Sequence, residues 1–409
     1  MTASGLIAPV PGDPAMRHLP RHVVILGVIS FLTAMSSAMV YGLLPVFLLR
    51  VLHTSVATVG LIEGVAEATT SLTKIVSGVA SDRLGRRKPI VLLGYALSAI
   101  NKLVFPLAGA ASTIFAARVI DRVGKGMRDA PRDAFLTDVT PAPIRGSGFG
   151  LRLAFYTAGF VVGPLSAMAL MRTSGDDFRL VFWVAVVPAV IAIIVLLVAL
   201  KEPPRRTTLP PPRLRIRRSD LAGFPSLFWW AIAVASLLSL ARISHAFLVL
   251  KAHDIGIDAA FVPAMLVLMY VVYAGAAYPF GVLADRIDRR LQLGIGAVLL
   301  ICASVILAGT DAIWLTALGV GLWGLQMAVT QGLLSASVAD AAPETLRGTA
   351  FGIYELAVGL ATFVASAVAG VLWTVSGPGS AFGMSAAIAA TVVLLLMLRP
   401  MPKVAASSL

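Results

Sequence analysis

The sequence predicts an all-α integral membrane protein: twelve transmembrane helices in two pseudo-symmetric six-helix bundles. Three observations predict it. Hydrophobic residues make up 58% of the 409-residue chain and charged residues only 13%, against roughly a quarter charged in a soluble domain. Apolar runs of about 20 residues, the length that spans a bilayer core, recur from end to end. A set of residues also recurs at an offset of half the chain. Asp138, Pro141, Arg145, Gly146, Phe149 and Gly150 return as Asp340, Pro343, Arg347, Gly348, Phe351 and Gly352, each pair 202 residues apart (340 − 138).

Taken in order, the predicted crossings are 22–48, 57–80, 89–109, 113–133, 146–171 and 179–200, then 224–250, 260–283, 291–309, 313–337, 348–374 and 381–398. A tail, 1–21, precedes the first bundle at 22–200. A proline-rich linker, 201–223, leads to the second bundle at 224–398, and 399–409 is a second tail. Basic residues cluster in alternate loops: Arg83, Arg86, Arg87 and Lys88 in one, seven between Lys201 and Arg218 in another, and Arg286, Arg289 and Arg290 in a third. The intervening loops hold only Arg50, Arg172, Arg179 and Lys251. By the positive-inside rule both tails and the linker face the cytoplasm, as in a multi-pass protein of the inner membrane. The net charge of +13 is that of cytoplasmic loops and does not imply a nucleic-acid partner. A single cysteine, Cys302, excludes an internal disulfide and a cysteine-based metal site. No nucleophile–base set, phosphate loop or cofactor motif is present, so an enzyme is disfavoured.

Between the second and third crossings the chain reads Gly78-Val79-Ala80-Ser81-Asp82-Arg83-Leu84-Gly85-Arg86-Arg87-Lys88. A copy, Gly281-Val282-Leu283-Ala284-Asp285-Arg286-Ile287-Asp288-Arg289-Arg290, follows 203 residues later (285 − 82) with Asp288 in place of Gly85. The pair resembles the loop motif of the major facilitator superfamily of secondary transporters. The resemblance covers nearly the whole chain. It implies parallel halves, a substrate site near the midplane between them, and a cytoplasmic gate formed by Gly78, Asp82, Arg83, Gly85, Arg86, Arg87, Asp285 and Arg286. Asp82 is expected to accept from backbone N–H groups at the start of the eleventh helix, where the helix dipole favours an anion.

Ionisable residues inside a bilayer are costly and mark function by default. In the fourth crossing Arg118, Asp121, Arg122 and Lys125 share one face, and Arg128, Asp129 and Arg132 extend it. Pro131 is expected to end or bend that helix. Arg118 falls where proton-coupled drug exporters of the superfamily carry an arginine, with Asp121 and Arg122 in place of their Gln and Gly. In the second crossing Glu63, Glu67 and Lys74 share a face. Two neighbouring carboxylates repel, and one that takes up a proton is what proton coupling requires; the alternative is ion pairing with Arg118 or Lys102. Glu355 is a second proton-site candidate, otherwise a partner for Arg242 or Arg152. Glu63, Glu67, Asp121 and Glu355 are therefore the proton-coupling candidates. Tyr41, Arg118, Arg122, Arg242, His245, Trp323, Gln326 and Thr330 are the candidates for the substrate cavity. Trp323, Gln326 and Thr330 share one face and could equally serve interhelical hydrogen bonds. Tyr270 and Tyr273 are weaker candidates.

Gly159-Phe160-Val161-Val162-Gly163-Pro164 resembles the G-x-x-x-G-P motif of antiporting exporters in the superfamily. Seven basic residues inside the helices (Lys74, Lys102, Arg118, Arg122, Lys125, Arg152, Arg242) face four acidic ones, which favours an anionic or zwitterionic cargo. The expected function is proton-coupled export of a small organic, anionic compound by antiport, by a monomer with no cofactor or metal. The partners are substrate, protons and the bilayer. Import of an organic anion or metal chelate is the second reading, and a non-transporting sensor the third.

Overall fold

The computed structural model describes residues 20–84, 86–141, 144–202, 223–284, 287–342 and 347–398. Within them every regular element is a helix: α1 Arg21–Tyr41, α2 Leu44–Arg50, α3 Val56–Leu84, α4 Lys88–Lys102, α5 Val104–Leu107, α6 Ala111–Val139, α7 Arg145–Ser174, α8 Phe178–Ala199, α9 Ser226–Ala241, α10 Ala246–Asp254, α11 Ala264–Ala284, α12 Arg289–Gly309, α13 Ile313–Ala341, α14 Arg347–Ser376 and α15 Pro378–Leu398.

Three expected crossings are broken into two pieces. The first breaks at Gly42-Leu43, before Pro45 in the first turn of α2, where a missing N–H costs nothing. The third breaks at Leu103, with Pro106 inside α5. The seventh breaks between Ala241 and Ala246, where no proline or glycine announces it; Arg242 is extended, at φ −85° and ψ 91°. Pro131, expected to end or bend its helix, does not end it: α6 runs through it to Val139. The lost hydrogen bond is offset by burial of Pro131 and by ion pairs of Arg132 on the same turn.

Ten helices among the described residues are long and apolar enough to cross a membrane. The two expected crossings outside that set are α3 and α6, each of 29 residues. Both carry the ionisable residues that lower their hydropathy.

The packing is duplicated. In the first set α1 packs on α7 and α8, α3 on α6, and α4 on α6 and α8. In the second, α9 packs on α14 and α15, α11 on α13, and α12 on α13 and α15. The 202-residue offset carries each of these pairs onto its counterpart. The sets meet at α3–α14 and α7–α11, and the same operation exchanges these two seams.

The α3–α14 seam is close because glycines face each other. A Cβ added to Gly60 would lie 2.9 Å from Gly370 Cα, and one on Gly64 would lie 2.8 Å from Phe363 O. One end of the molecule is sealed by a core drawn from both sets. There α2 meets α10, Phe47 meets Phe182 at 5.2 Å between ring centroids, and Phe247 meets Trp373 at 5.8 Å.

Candidate functional site

Between the two sets lies a cavity of about 370 Å³. One wall is the charged face of α6. Its lining residues run from Arg118 to Arg132, a rise of about 20 Å at 1.5 Å per residue. The helix can sit deep in the first set because Gly124 and Gly126 let it touch backbone on both sides. An added Cβ would lie 2.8 Å from Gly94 O of α4 in one case and 2.7 Å from Thr70 O of α3 in the other.

The charges on that face are matched mainly by α3. Arg118 Nη2 donates to both carboxylate oxygens of Glu63 at 2.5 Å, with side chains 1% and 9% exposed. One turn on, Arg122 Nη2 meets Glu67 Oε1 at 2.9 Å. Tyr41, the last residue of α1, lies among these pairs. Its ring faces Arg118 Cζ at 4.2 Å and Arg122 Cζ at 4.9 Å. Its hydroxyl donates to Asp121 Oδ2 at 2.5 Å. Lys102 stands 3.8 Å from Asp121 Oδ1 and donates to Ser37 Oγ at 3.3 Å. Breaking a buried pair of the Arg118–Glu63 kind costs about 3–5 kcal/mol, because it strands a charge. A desolvated cation over an aromatic face contributes up to about 2 kcal/mol.

Further along α6, Arg128 Nη1 donates to Ser98 Oγ at 2.8 Å and its Cζ lies 4.8 Å over the Tyr95 ring. Arg132 pairs with Asp129 and Asp133, each at 3.0 Å. The facing wall is aromatic. Tyr156 and Phe160 of α7 stand 4.9 Å apart, Phe160 and Tyr270 of α11 stand 4.6 Å apart, and His245 meets Tyr270 edge-on at 6.2 Å. Arg242 and His245 project from the break between α9 and α10 into the same cavity. Lys125 and Arg242 line it, and among the described residues neither has a carboxylate within 4.0 Å, although Lys125 lies in the field of Glu67 and Asp129.

Of the expected residues, the structure brings Tyr41, Glu63, Glu67, Arg118, Arg122, Arg242 and His245 to this cavity, with Asp121 directly behind Tyr41. The two glutamates do not confront each other as free carboxylates, since each is held by its own arginine. Glu355 lies apart from the cavity lining and pairs with Lys74, not with Arg242 or Arg152. Trp323, Gln326 and Thr330 are fully buried and do not line the cavity. Their face of α13 packs on α12, where Thr330 Cγ2 crowds Gly296, and Gln326 Nε2 donates to Thr330 Oγ1 at 3.0 Å. Met327 is the α13 side chain that reaches the cavity.

In the loop motif, Asp82 pairs with Arg87, which also meets Asp138 at 3.4 Å and Ser81 at 2.7 Å. At the start of α4 the carboxylate is that of Glu202, which accepts from the backbone N–H of Arg87 and Lys88. Gly78 lies against Ala130 of α6, and Arg83 and Arg86 are exposed. Gly85, Asp285 and Arg286 fall outside the described residues. Gly159 and Gly163 seat α7 on α1: added Cβ atoms would lie 2.5 Å from Phe31 O and Met35 O.

Tyr95, Tyr156 and Phe160 line the cavity without having been singled out for it, and Lys125, Arg128 and Arg132 line it as part of the charged face read from the sequence. The 3–4 spacing of the basic residues along α6 was the available signal.

A helical membrane fold with duplicated packing, and a charged cavity where its halves meet, defines a solute transporter rather than an enzyme. A family model for the Major Facilitator Superfamily matches residues 26–250 and again 227–408, and the chain belongs to that superfamily. An uncharacterized MFS-type transporter of Methanocaldococcus jannaschii is 31% identical over 369 residues, 88% of this chain and 90% of that one. The quinolone resistance protein NorA of Staphylococcus aureus is 25% identical over 178 residues, 44% of this chain and 45% of that one. In fold, the human organic anion transporter MFSD10 is similar at a TM-score of 0.67 and 19% identity, over 92% of this chain and 99% of that one.

Proposed function

We propose that the protein is a proton-coupled secondary transporter of a small organic anion. It works by alternating access of the central cavity between two six-helix bundles, 22–200 and 224–398. The observation that carries this reading is that Lys125 and Arg242, one from each bundle, face the cavity without a direct ion pair among the described residues. An anion held between them would draw the bundles together and so bias the equilibrium between the two faces. The aromatic wall of Tyr156, Phe160 and Tyr270 suits an apolar body attached to the anionic group.

In this reading α3 and α6 are the remaining two of twelve crossings. A helix of 29 residues is about 43 Å long, and its charges face partners rather than lipid. The protein is a monomer of the inner membrane with both termini cytoplasmic, as its basic loops imply. Export by antiport draws support from the Gly159–Pro164 motif and from the drug-resistance name of one partial relative. Import together with a proton is the second reading, and the Glu67–Arg122 pair favours it. Glu67 holds a counter-charge that an incoming anion can claim.

The test is uptake of labelled aromatic carboxylates and sulfonates into proteoliposomes under pH gradients of either sign. Flux is expected to follow the gradient and to fall at least tenfold in Lys125→Gln and Arg242→Gln. Flux indifferent to the gradient removes proton coupling, and equal flux of the matching organic cations removes the anionic cargo.

A further inference from the structure

Two glutamates on α3 meet two arginines on α6 one turn apart, and the two pairs are not equivalent. Arg118 holds Glu63 through both carboxylate oxygens, and that pair, though it lines the cavity, is almost fully buried. Arg122 meets only one oxygen of Glu67; the arginine is 5% exposed, the glutamate 32%. Arg122 Nε has no hydrogen-bond partner, but neither have Nε and Nη1 of Arg118; the single-oxygen contact and the exposure of Glu67 are what set the second pair apart. The second pair is therefore the one an incoming ligand can open.

An anion in the cavity meets Lys125 and Arg242, which make no direct ion pair among the described residues, and Arg122, which already makes one. If it takes Arg122, the Glu67 carboxylate loses its one direct ion-pair partner, and Lys125, the next cation, is engaged by the same anion. A carboxylate stranded in such surroundings is neutralised by a proton more readily than it is solvated.

We propose that Arg122 is shared between Glu67 and the cargo, so that each anion binds together with one proton taken up by Glu67. This rests on the reading of the cargo as an anion. The proton goes from solvent to a Glu67 carboxylate oxygen, no covalent bond of the cargo changes, and the net charge of the site is the same before and after. The two ligands then favour each other reciprocally. The coupling is symport, and the proton gradient drives the anion inward.

The groups facing Glu67 set the competition for that proton. They are Arg118, Arg122 and Lys125 from α6, Tyr41 from α1, Arg242 and His245 from the break between α9 and α10, Tyr270 from α11, and Glu63 on α3 itself. From α14 come only Val358 and Thr362, which are uncharged. His245 is the rival proton site, so the experiment includes it.

The full-length protein in lipid nanodiscs, weakly buffered, is titrated with 1-naphthoate and 2-naphthalenesulfonate, with 1-naphthylmethylammonium as the cationic counterpart. Binding of either anion should take up about one proton, and its affinity should fall about tenfold per pH unit on the alkaline side. Glu67→Gln should bind the anions with no proton uptake and no pH dependence. In proteoliposomes it should exchange anion for anion yet fail to accumulate it under a pH gradient. His245→Gln should keep the proton uptake. Anion binding without proton uptake by the unaltered protein overturns the proposal, as does uptake that survives Glu67→Gln or disappears in His245→Gln. No binding of either anion overturns the anionic-cargo reading itself, a failure distinct from the others.

Discussion

Arg118→Met isolates the energetics of the buried pair. The substitution keeps a long apolar side chain in the site and removes the charge. Glu63, 9% exposed, is then left with no countercharge at 2.5 Å, and Tyr41 loses the guanidinium 4.2 Å above its ring. Stranding one member of a buried pair costs about 3–5 kcal/mol, and losing the cation–π contact adds up to about 2 kcal/mol. For a chain of this size, a loss of that order corresponds to a Tm lower by roughly 4–8 °C. Removing both charges, as in Glu63→Gln with Arg118→Met, leaves no stranded ion. The double variant should therefore recover most of the loss and melt above Arg118→Met alone. The assay is thermal unfolding in detergent, followed by tryptophan fluorescence, for the two single variants and the double. Two results would refute the reasoning: an Arg118→Met protein that melts within about 1 °C of the unaltered one, or a double variant whose loss is the sum of the single losses.

Three further outcomes are expected. The Lys74–Glu355 pair joins the two sets across the α3–α14 seam and is partly exposed, so either neutral variant should cost under about 1 kcal/mol of stability while slowing transport several-fold. Exchanging the charges, Lys74→Glu with Glu355→Lys, should restore the rate measured by counterflow. Asp82→Asn and Arg87→Gln should each reduce turnover in proteoliposomes with little change in Tm and in ligand affinity, since the Asp82–Arg87 pair is solvent-accessible. Finally, Gly64→Val places side-chain atoms against Phe363 O and should hold α3 and α14 apart. In a Cys302→Ser background carrying Ala57→Cys, it should raise the rate of labelling by a membrane-impermeant thiol reagent.

The duplication was legible because two separate segments share nearly one offset, and the packing pairs follow it helix by helix. The charged face of α6 was legible because ionisable residues at 3–4 spacing cannot face lipid. Which acid meets which base was not. Lys74 and Glu355 lie 281 residues apart, and only the meeting of α3 with α14 joins them. The face of α13 that bears Trp323, Gln326 and Thr330 stays open in the sequence between the cavity and a neighbouring helix, for a related reason. In a membrane helix both the lipid side and the packed side are apolar, so a polar stripe marks a neighbour without saying whether that neighbour is water or another helix. The break before α10 left no trace in composition, since Ala241-Arg242-Ile243-Ser244-His245 contains neither glycine nor proline.

The density of charge on α6 also bears on how the chain is made. Each arginine, lysine or aspartate near the middle of a spanning segment opposes its insertion by about 2.5–3.5 kcal/mol. Arg118, Asp121, Arg122 and Lys125 together therefore weigh on the order of 10 kcal/mol against α6 entering the bilayer by itself. Glu63, Glu67, Lys102 and Tyr41 match the charges of Arg118, Asp121 and Arg122. All four precede α6 in the sequence. With α6 as one of twelve crossings, α1, α3 and α4 would be made first and could receive it, so that the order of the helices along the chain would itself favour the charged cavity.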